Sequence, residues 1–194
     1  MKIIDVPQYG PRFRFGDANV YWALHLLSDG KRMGRKALAD RVGIGEGSMR
    51  RILDTLKDWE MVSIKQTGIT ITKTGSGFLN EIPVKILDMD LGDVVIGKYQ
   101  QAVKVCGVSS KIENGMQQRD AGIRVGASGC TTIILRDGKL MMPPDWDLDK
   151  ERPEIAAKIR KDVGLGADDI IIVGGADDVH SSVNAALAAA FELF

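Results

Sequence analysis

Gly34 to Thr72 reads GRKALADRVGIGEGSMRRILDTLKDWEMVSIKQTGITIT, and the fold of the first half of the chain turns on this stretch. Ala37, Leu38 and Val42 share one face of a short helix, and Gly43 is placed to stop it. GIGEG is then a tight turn. Beyond it Met49, Ile52, Leu53, Leu56 and Trp59 recur every three or four residues, the stripe of a helix with one buried face. Apolar residues alternate from Met61 to Gln66 and from Ile69 to Thr72 around Thr67-Gly68, which is the pattern of a two-stranded hairpin. Upstream, DANVYWALHLLSDG (Asp17 to Gly30) carries Val20, Ala23, Leu24 and Leu27 at helical spacing, with Asp17 placed to cap and Gly30 to terminate. Thr72-Lys-Thr-Gly-Ser-Gly closes the segment. Three helices, a tight turn between the second and third, then a hairpin: the order is that of a winged helix-turn-helix over residues 1–83.

In that fold the third helix enters the major groove of double-stranded DNA while the hairpin touches the backbone. With Met49, Ile52, Leu53 and Leu56 turned to the core, Ser48, Arg51 and Thr55 face outward and Arg50 flanks them. Arginine suits guanine edges and phosphates because its planar fork donates two parallel hydrogen bonds. Lys65, Thr67 and Lys73 stand on or beside the hairpin, where phosphate contacts are made. Against this, Glu46, Asp54 and Asp58 lie on or near the same helix and repel phosphates. Winged helices also bind proteins or act as spacers on enzymes, so fold alone does not fix the partner. Gly43-Ile-Gly45-Glu-Gly47-Ser48 imitates the start of a dinucleotide fingerprint, but Ser48 stands where glycine is required and no apolar strand precedes it.

The 194 residues support one domain or two small ones. With 44% apolar residues, 27% charged and a net charge of zero, the chain is neither disordered nor extreme in charge. The charge is unevenly shared: residues 1–83 hold 13 Lys and Arg against 9 Asp and Glu, a net of +4, and the remainder carries the balancing −4. The longest apolar run, Ala185 to Phe191, falls far short of the ~20 residues of a membrane helix. MKIIDVPQYGPRFRFG has no apolar signal-peptide core, and Cys106 and Cys130 make neither a disulfide framework nor a zinc cluster. These features describe a cytoplasmic protein without a membrane partner.

Residues 84–194 read as an α+β unit. The polar LDMDLGD bridges to it, Val94 to Gly97 and Ala102 to Cys106 are one long strand or two short ones, and Asn114 to Val125 is a helix stopped at Gly126. Thr131 to Arg136 and Lys139 to Met142 are strands joined by Asp137-Gly138, a strong hairpin signal. Glu151 to Val163 is an amphipathic helix, Asp169 to Val173 a buried strand, and Asp177 onward a final helix. This order gives a two-layer sandwich with a mostly antiparallel sheet. The last helix, VNAALAAAFELF, is so apolar that it must lie in the core or against a second subunit, which would make a homodimer. Candidate ligand groups are Arg119 and Asp120 in mid-helix, Ser128, Thr131 and Thr132 around a glycine-rich loop, and Asp177 and Asp178, which otherwise serve as helix caps. His180 lies one turn beyond those acids. No nucleophile-base-acid set, catalytic residue, metal-ligand spacing or cofactor motif is present in the sequence.

On Gly10-Pro11, Gly34-Arg35, Gly43-Ile-Gly-Glu-Gly-Ser-Met-Arg50, Ile71-Thr-Lys-Thr-Gly75, Gln118-Arg-Asp-Ala121, Gly126-Ala-Ser-Gly-Cys-Thr-Thr132, Asp137-Gly-Lys-Leu140 and Gly175-Ala-Asp-Asp178, the chain resembles an archaeal family of uncharacterised proteins. Its members join a winged helix to a C-terminal domain of unknown function, similar to the insertion domain of some aspartyl-tRNA synthetases and tRNA amidotransferase subunits. The resemblance implies a DNA-binding or regulatory role. Two positions depart from the pattern: Cys130 replaces a small residue, and Glu60 replaces the glycine that ends the recognition helix. The leading expectation is a transcription regulator that binds operator DNA and senses a small-molecule effector or dimerises through residues 84–194. The alternatives are an enzyme or tRNA-related protein with an accessory winged helix, for example one resembling the CTP-dependent riboflavin kinases, and a protein-interaction module.

Overall fold

The computed structural model describes Ile3 and residues 15–194, arranged as two compact units, one ending at Ile82 and the other running from Pro83 to Phe194. The Gly10-Pro11 pair and most of the leader reading lie outside the described residues. The first unit contains α1 (Asp17–Leu26), α2 (Arg35–Val42), α3 (Glu46–Asp58), the hairpin β1 (Val62–Lys65) and β2 (Gly68–Ile71), and α4 (Lys73–Glu81). Met33, between α1 and α2, bridges to Ile69 through two backbone hydrogen bonds of 3.0 and 2.9 Å, so the hairpin is fastened to the helical layer. This is the layout of a winged helix-turn-helix. Its core gathers Val20, Tyr21, Leu24 and Leu27 of α1, Leu38 and Val42 of α2, and Met49, Ile52, Leu53 and Leu56 of α3.

Several local readings change. Gly16, not Asp17, is the N-cap of α1, and the Asp17 carboxylate instead accepts the Ile3 N–H at 2.8 Å. Ala39 rather than Ala37 joins the core from α2, and Trp59 is 40% exposed because the helix has ended beside it. The hairpin turn is Gln66-Thr67, since Lys65 pairs with Gly68. Thr72 onward is a fourth helix rather than a closing loop. Thr72 Oγ1 caps it by accepting the Gly75 N–H at 3.1 Å, whereas two glycines in its first turns hide it from a propensity reading. Gly75 is there for steric reasons: a Cβ would lie 2.2 Å from the Met61 carbonyl oxygen.

The second unit contains β3 (Val84–Leu87), β4 (Tyr99–Val105), α5 (Met116–Arg124), β5 (Gly129–Arg136), β6 (Lys139–Met142), β7 (Trp146–Asp147), α6 (Leu148–Glu151), α7 (Pro153–Asp162), β8 (Ile170–Ala176) and α8 (Val179–Phe191). Its six strands form one open sheet in the order β3-β4-β8-β5-β6-β7, and every neighbouring pair is antiparallel. The fully buried β8 lies between β4 and β5, which explains its unbroken apolar sequence. Asp137 (φ 51°) and Gly138 (φ 77°) make the expected hairpin turn.

Two strand assignments differ from the sequence reading. Val84–Leu87 pairs with β4 from Val84↔Val105 to Leu87↔Ala102, so the bridge to the second unit is itself partly an edge strand. Val94 to Gly97 is not a strand; Gly92–Val94 is a short 3-10 turn whose Val94, with Val95, packs into the core. The helix expected from Glu151 to Val163 is α7, which starts at Pro153, and a separate short helix, α6, precedes it. Pro153, which has no N–H to donate, begins α7 where that group is dispensable.

The expected sandwich is formed by α5 and α8 on one face of the sheet, where Gly122 backs onto Cys130 and Gly174 onto the backbone of α8. A smaller second cover lies on the opposite face. There Leu148 of α6 and Ile155, Ala156 and Ile159 of α7 close over Ile133, Ile171 and Val173. The apolar α8 packs on β8 and β4 of its own unit. That reading of VNAALAAAFELF, core rather than subunit contact, accounts for its buried face.

Candidate nucleic-acid interface

The hydrophobic stripe of α3 fixes which of its side chains are left for solvent. Arg50, Asp54 and Lys57 form one row, at i, i+4, i+7, and Ser48, Arg51 and Thr55 form another, at i, i+3, i+7. The first row turns toward the hairpin. Together with Gly34 and Arg35 at the start of α2, and with Ile64, Lys65 and Gln66 of the wing, it lines a groove of about 390 Å³. Four cations, Arg35, Arg50, Lys57 and Lys65, therefore face one carboxylate, Asp54, in a single concave surface. Glu46, one of the two other acids expected to oppose an anion here, lies 3.7 Å from the Arg35 guanidinium, and Asp58 is not among the groove's lining residues.

The second row is less free than its spacing suggests. Arg51 is exposed, but Ser48 and Thr55 are half-buried, and the Thr55 hydroxyl donates back to the Arg51 carbonyl at 3.1 Å. Lys65 is exposed at the end of β1. Thr67 sits at the wing tip, where its hydroxyl oxygen accepts a 2.6 Å bond from the Arg32 guanidinium. Lys73 is the first residue of α4, at the foot of the hairpin rather than its tip.

Arg32, Arg35 and Lys57 were not among the residues picked from the sequence. Lys57 stands seven residues beyond Arg50 on α3, whereas Arg32 and Arg35 belong to the basic run Lys31-Arg32-Met-Gly-Arg35-Lys36. Its position between two helices gave no reason to join it to the wing, until the Met33–Ile69 bridge supplies one.

The candidate ligand groups of the second unit are dispersed. Arg119, Thr131 and Thr132 line a cavity of about 430 Å³. Asp120 is not among its lining residues and accepts hydrogen bonds from Nε and Nη2 of Arg119, at 3.1 and 2.9 Å. Ser128, Asp177 and Asp178 are not among its lining residues. Ser128 donates its backbone N–H to the Gly175 carbonyl at 2.9 Å. Asp178 caps α8, accepting the Ser181 N–H and hydroxyl at 2.9 and 2.7 Å, and these bonds hold its carboxyl below the ordinary value. No group of three or more His, Cys, Asp or Glu among the described residues is placed to hold a metal ion. No helix among them is long and apolar enough to cross a membrane.

Comparison with known proteins divides the chain at a similar place. Residues 19–85 match the CggR N-terminal DNA binding domain, and residues 95–193 match a domain of unknown function, DUF4443. The hypothetical protein PH0730 from Pyrococcus horikoshii OT3 superposes with a TM-score of 0.73 at 21% sequence identity, over 93% of each chain. That likeness is one of fold. No curated protein matches the sequence.

Proposed function

The chain belongs to the DUF4443 family, whose model covers half of it, and from that starting point we propose that it is a transcription regulator that binds double-stranded DNA through residues 1–83. In this reading residues 84–194 form the sensing or oligomerising half. The observation that carries the proposal is the groove between α3 and the wing, where four cations converge within a segment similar to a DNA-binding domain. The open sheet of the second unit has free edges at β3 and β7, whereas a riboflavin kinase-like half would be a closed barrel. The regulator reading is therefore preferred to the enzymatic one.

Arg50 and Arg51 are the candidates for base edges, and Arg35, Lys57, Lys65, Thr67 and Lys73 for phosphates. A homodimer would set two α3 helices about 34 Å apart, one turn of DNA, on a palindromic site. Selection of sheared genomic DNA by the full-length protein, followed by sequencing, tests the proposal. Enrichment of a few promoter fragments supports it. Neutralising about four phosphates gives a log–log salt slope near −3.6, or roughly a hundredfold weaker binding between about 50 and 200 mM salt. Arg51→Ala should flatten sequence preference, whereas Lys65→Ala should weaken all DNA alike and reduce the slope by about one. Retention with no salt dependence, or no retention, would point to a protein-binding winged helix instead.

A further inference from the structure

We infer that the cavity between the start of α5 and the β6–β7 end of the sheet binds a small organic anion, a carboxylate or phosphate monoester carrying a flat apolar group. The inference gives the sensing half of the proposed regulator its ligand class. It rests on that reading only for the ligand's regulatory meaning, because binding itself is measured without DNA.

The first observation is chemical. Thr132 is 4% exposed, lines the cavity, and its Oγ1 finds no hydrogen-bond partner among the described residues. A buried hydroxyl left unpaired is costly, and proteins keep such groups chiefly where a ligand or solvent satisfies them. On the neighbouring strand position, Thr131 satisfies its own hydroxyl by donating to the Val94 carbonyl at 2.8 Å. The orphan is thus particular to Thr132. Its Oγ1 lies 3.8 Å from where a Cβ on Gly115 would be, so it adjoins the left-handed turn (φ 72°) from which α5 begins.

The second observation is the helix end itself. Gly115 is the N-cap of α5 and has no side chain to satisfy the first turn. Asn114 Oδ1 accepts only the Met116 N–H, at 3.0 Å. The remaining first-turn N–H groups and the positive end of the helix dipole favour an anion. Arg119, one turn on, is the one charged side chain among the described residues that line the cavity. Its Nε and Nη2 donate to one oxygen of the exposed Asp120 carboxylate, and Nη1 lies outside that pairing.

The third is shape. Met116, Met142, Pro143, Pro144 and Trp146 supply apolar walls, and a volume of about 430 Å³ suits a small metabolite. An anionic head at Thr132 and the α5 N-terminus would leave a flat body against these walls, with Trp146 available for stacking.

The test uses full-length protein and three probes of one shape: phenyl phosphate, benzoate and benzyl alcohol. Calorimetry and amide chemical-shift titration are run on the parent, Thr132→Val and Arg119→Gln. The expected result is saturable binding of at least one anion, with shifts centred on Gly115, Met116 and Thr132, and no matching response to the neutral alcohol. Thr132→Val should weaken that anion about tenfold while melting at the parent temperature or above, because valine removes the unpaired oxygen and keeps the shape. A merely structural threonine would instead lower the melting temperature. Arg119→Gln should also weaken the anion and leave the fold intact. No saturable binding of either anion up to about 20 mM, equal binding of the alcohol, or undiminished affinity in Thr132→Val would overturn the assignment. None of these outcomes depends on DNA, so the regulator reading stands or falls separately.

Discussion

Glu60→Gly should stabilise the first unit, against the general rule that glycine destabilises. Glu60 has φ 56°, and its N–H reaches the Lys57 carbonyl at 2.9 Å while the Met61 N–H reaches that of Leu56 at 2.8 Å. These two bonds form the left-handed helix stop that glycine usually supplies, and here an L residue with a Cβ adopts it. Such a conformation costs a non-glycine residue roughly 1–2 kcal/mol. Glycine returns roughly 0.5–1 kcal/mol of that through the greater freedom of its unfolded chain. The net gain is about 0.5–1 kcal/mol. A further few tenths come from removing a negative charge at the C-terminal end of α3. For a unit of this size a gain of that order raises Tm by about 2–8 °C. Scanning calorimetry of the full chain resolves the transition of the first unit, and Glu60→Ala is the control. Alanine removes the carboxylate but keeps the strained Cβ, so it should show only the small electrostatic gain. If Glu60→Gly matches Glu60→Ala, or melts lower than the parent, the strain attributed to φ at this position is wrong.

Gly174→Ala should be severely destabilising, by roughly 3 kcal/mol or more, because its Cβ would stand 2.4 Å from the Ser182 carbonyl oxygen and 2.6 Å from the Ala186 nitrogen; urea unfolding reads this, and a change below about 1 kcal/mol would contradict the packing of α8 on β8. Asp169→Asn should cost about 1–3 kcal/mol: burial raises the Asp169 carboxyl, but bonds from Lys104 at 2.8 Å and from the Gly166 and Gly107 N–H groups outweigh it and hold its pKa below the ordinary value. A lowered folded pKa stabilises above the unfolded value of about 4 and loses that contribution as pH falls through the folded one, so the parent's advantage over Asp169→Asn should vanish in acid. A difference that persists unchanged at about pH 2 would contradict this. Thiol titration of the native protein should leave Cys130 unmodified, since burial pushes its pKa up to about 12, while the half-buried Cys106 reacts slowly and both appear on unfolding. Rapid native modification of both thiols would place Cys130 nearer solvent.

The parts of the fold that were legible share a physical cause: a strong local signal that tertiary contacts did not oppose. The α3 stripe of Met49, Ile52, Leu53 and Leu56, the β-branched run of β8 and the Asp137-Gly138 turn each specify their own geometry. What escaped was decided at a distance. The first strand of the second unit exists because Val84 finds Val105 across 21 residues, and α4 tolerates Gly75 because Met61 leaves no room for a side chain. Glu60 is the sharper case. It stands where a glycine ordinarily ends the helix, yet the left-handed stop is present, and the chain bears local strain to make it. The candidate sites divide in the same way. Spacing on one helix gave Arg50 and Arg51, whereas Arg32 and Arg35 needed the Met33–Ile69 bridge to reach the wing. Thr132 stood out from Thr131 only once hydrogen bonds could be assigned.

Net charge was a poor guide to what either half attracts. A surplus of four cations over residues 1–83 is modest, and the acids of α3 suggested further cancellation. The geometry removes part of it: Glu46 stands beside Arg35, and among the described residues lining the groove the other three cations, Arg50, Lys57 and Lys65, meet one carboxylate, Asp54. Potential at a concave surface depends on the charges that line it, because the low-dielectric walls focus their field. The second unit inverts the case. It is acidic overall, yet the described residues that line its cavity bring one guanidinium, paired with Asp120 outside the lining, and the N-terminus of α5. An anion is therefore the ligand that both surfaces favour. They differ in what surrounds the charge. The groove is lined by exposed cations, suited to a polyanion whose hold weakens as salt rises. The cavity has apolar walls and one unpaired hydroxyl, suited to a small molecule held by its body and oriented by its head. On the proposed reading the two sites should respond to salt differently: strongly at α3 and the wing, weakly at Thr132, where most of the lining carries no charge.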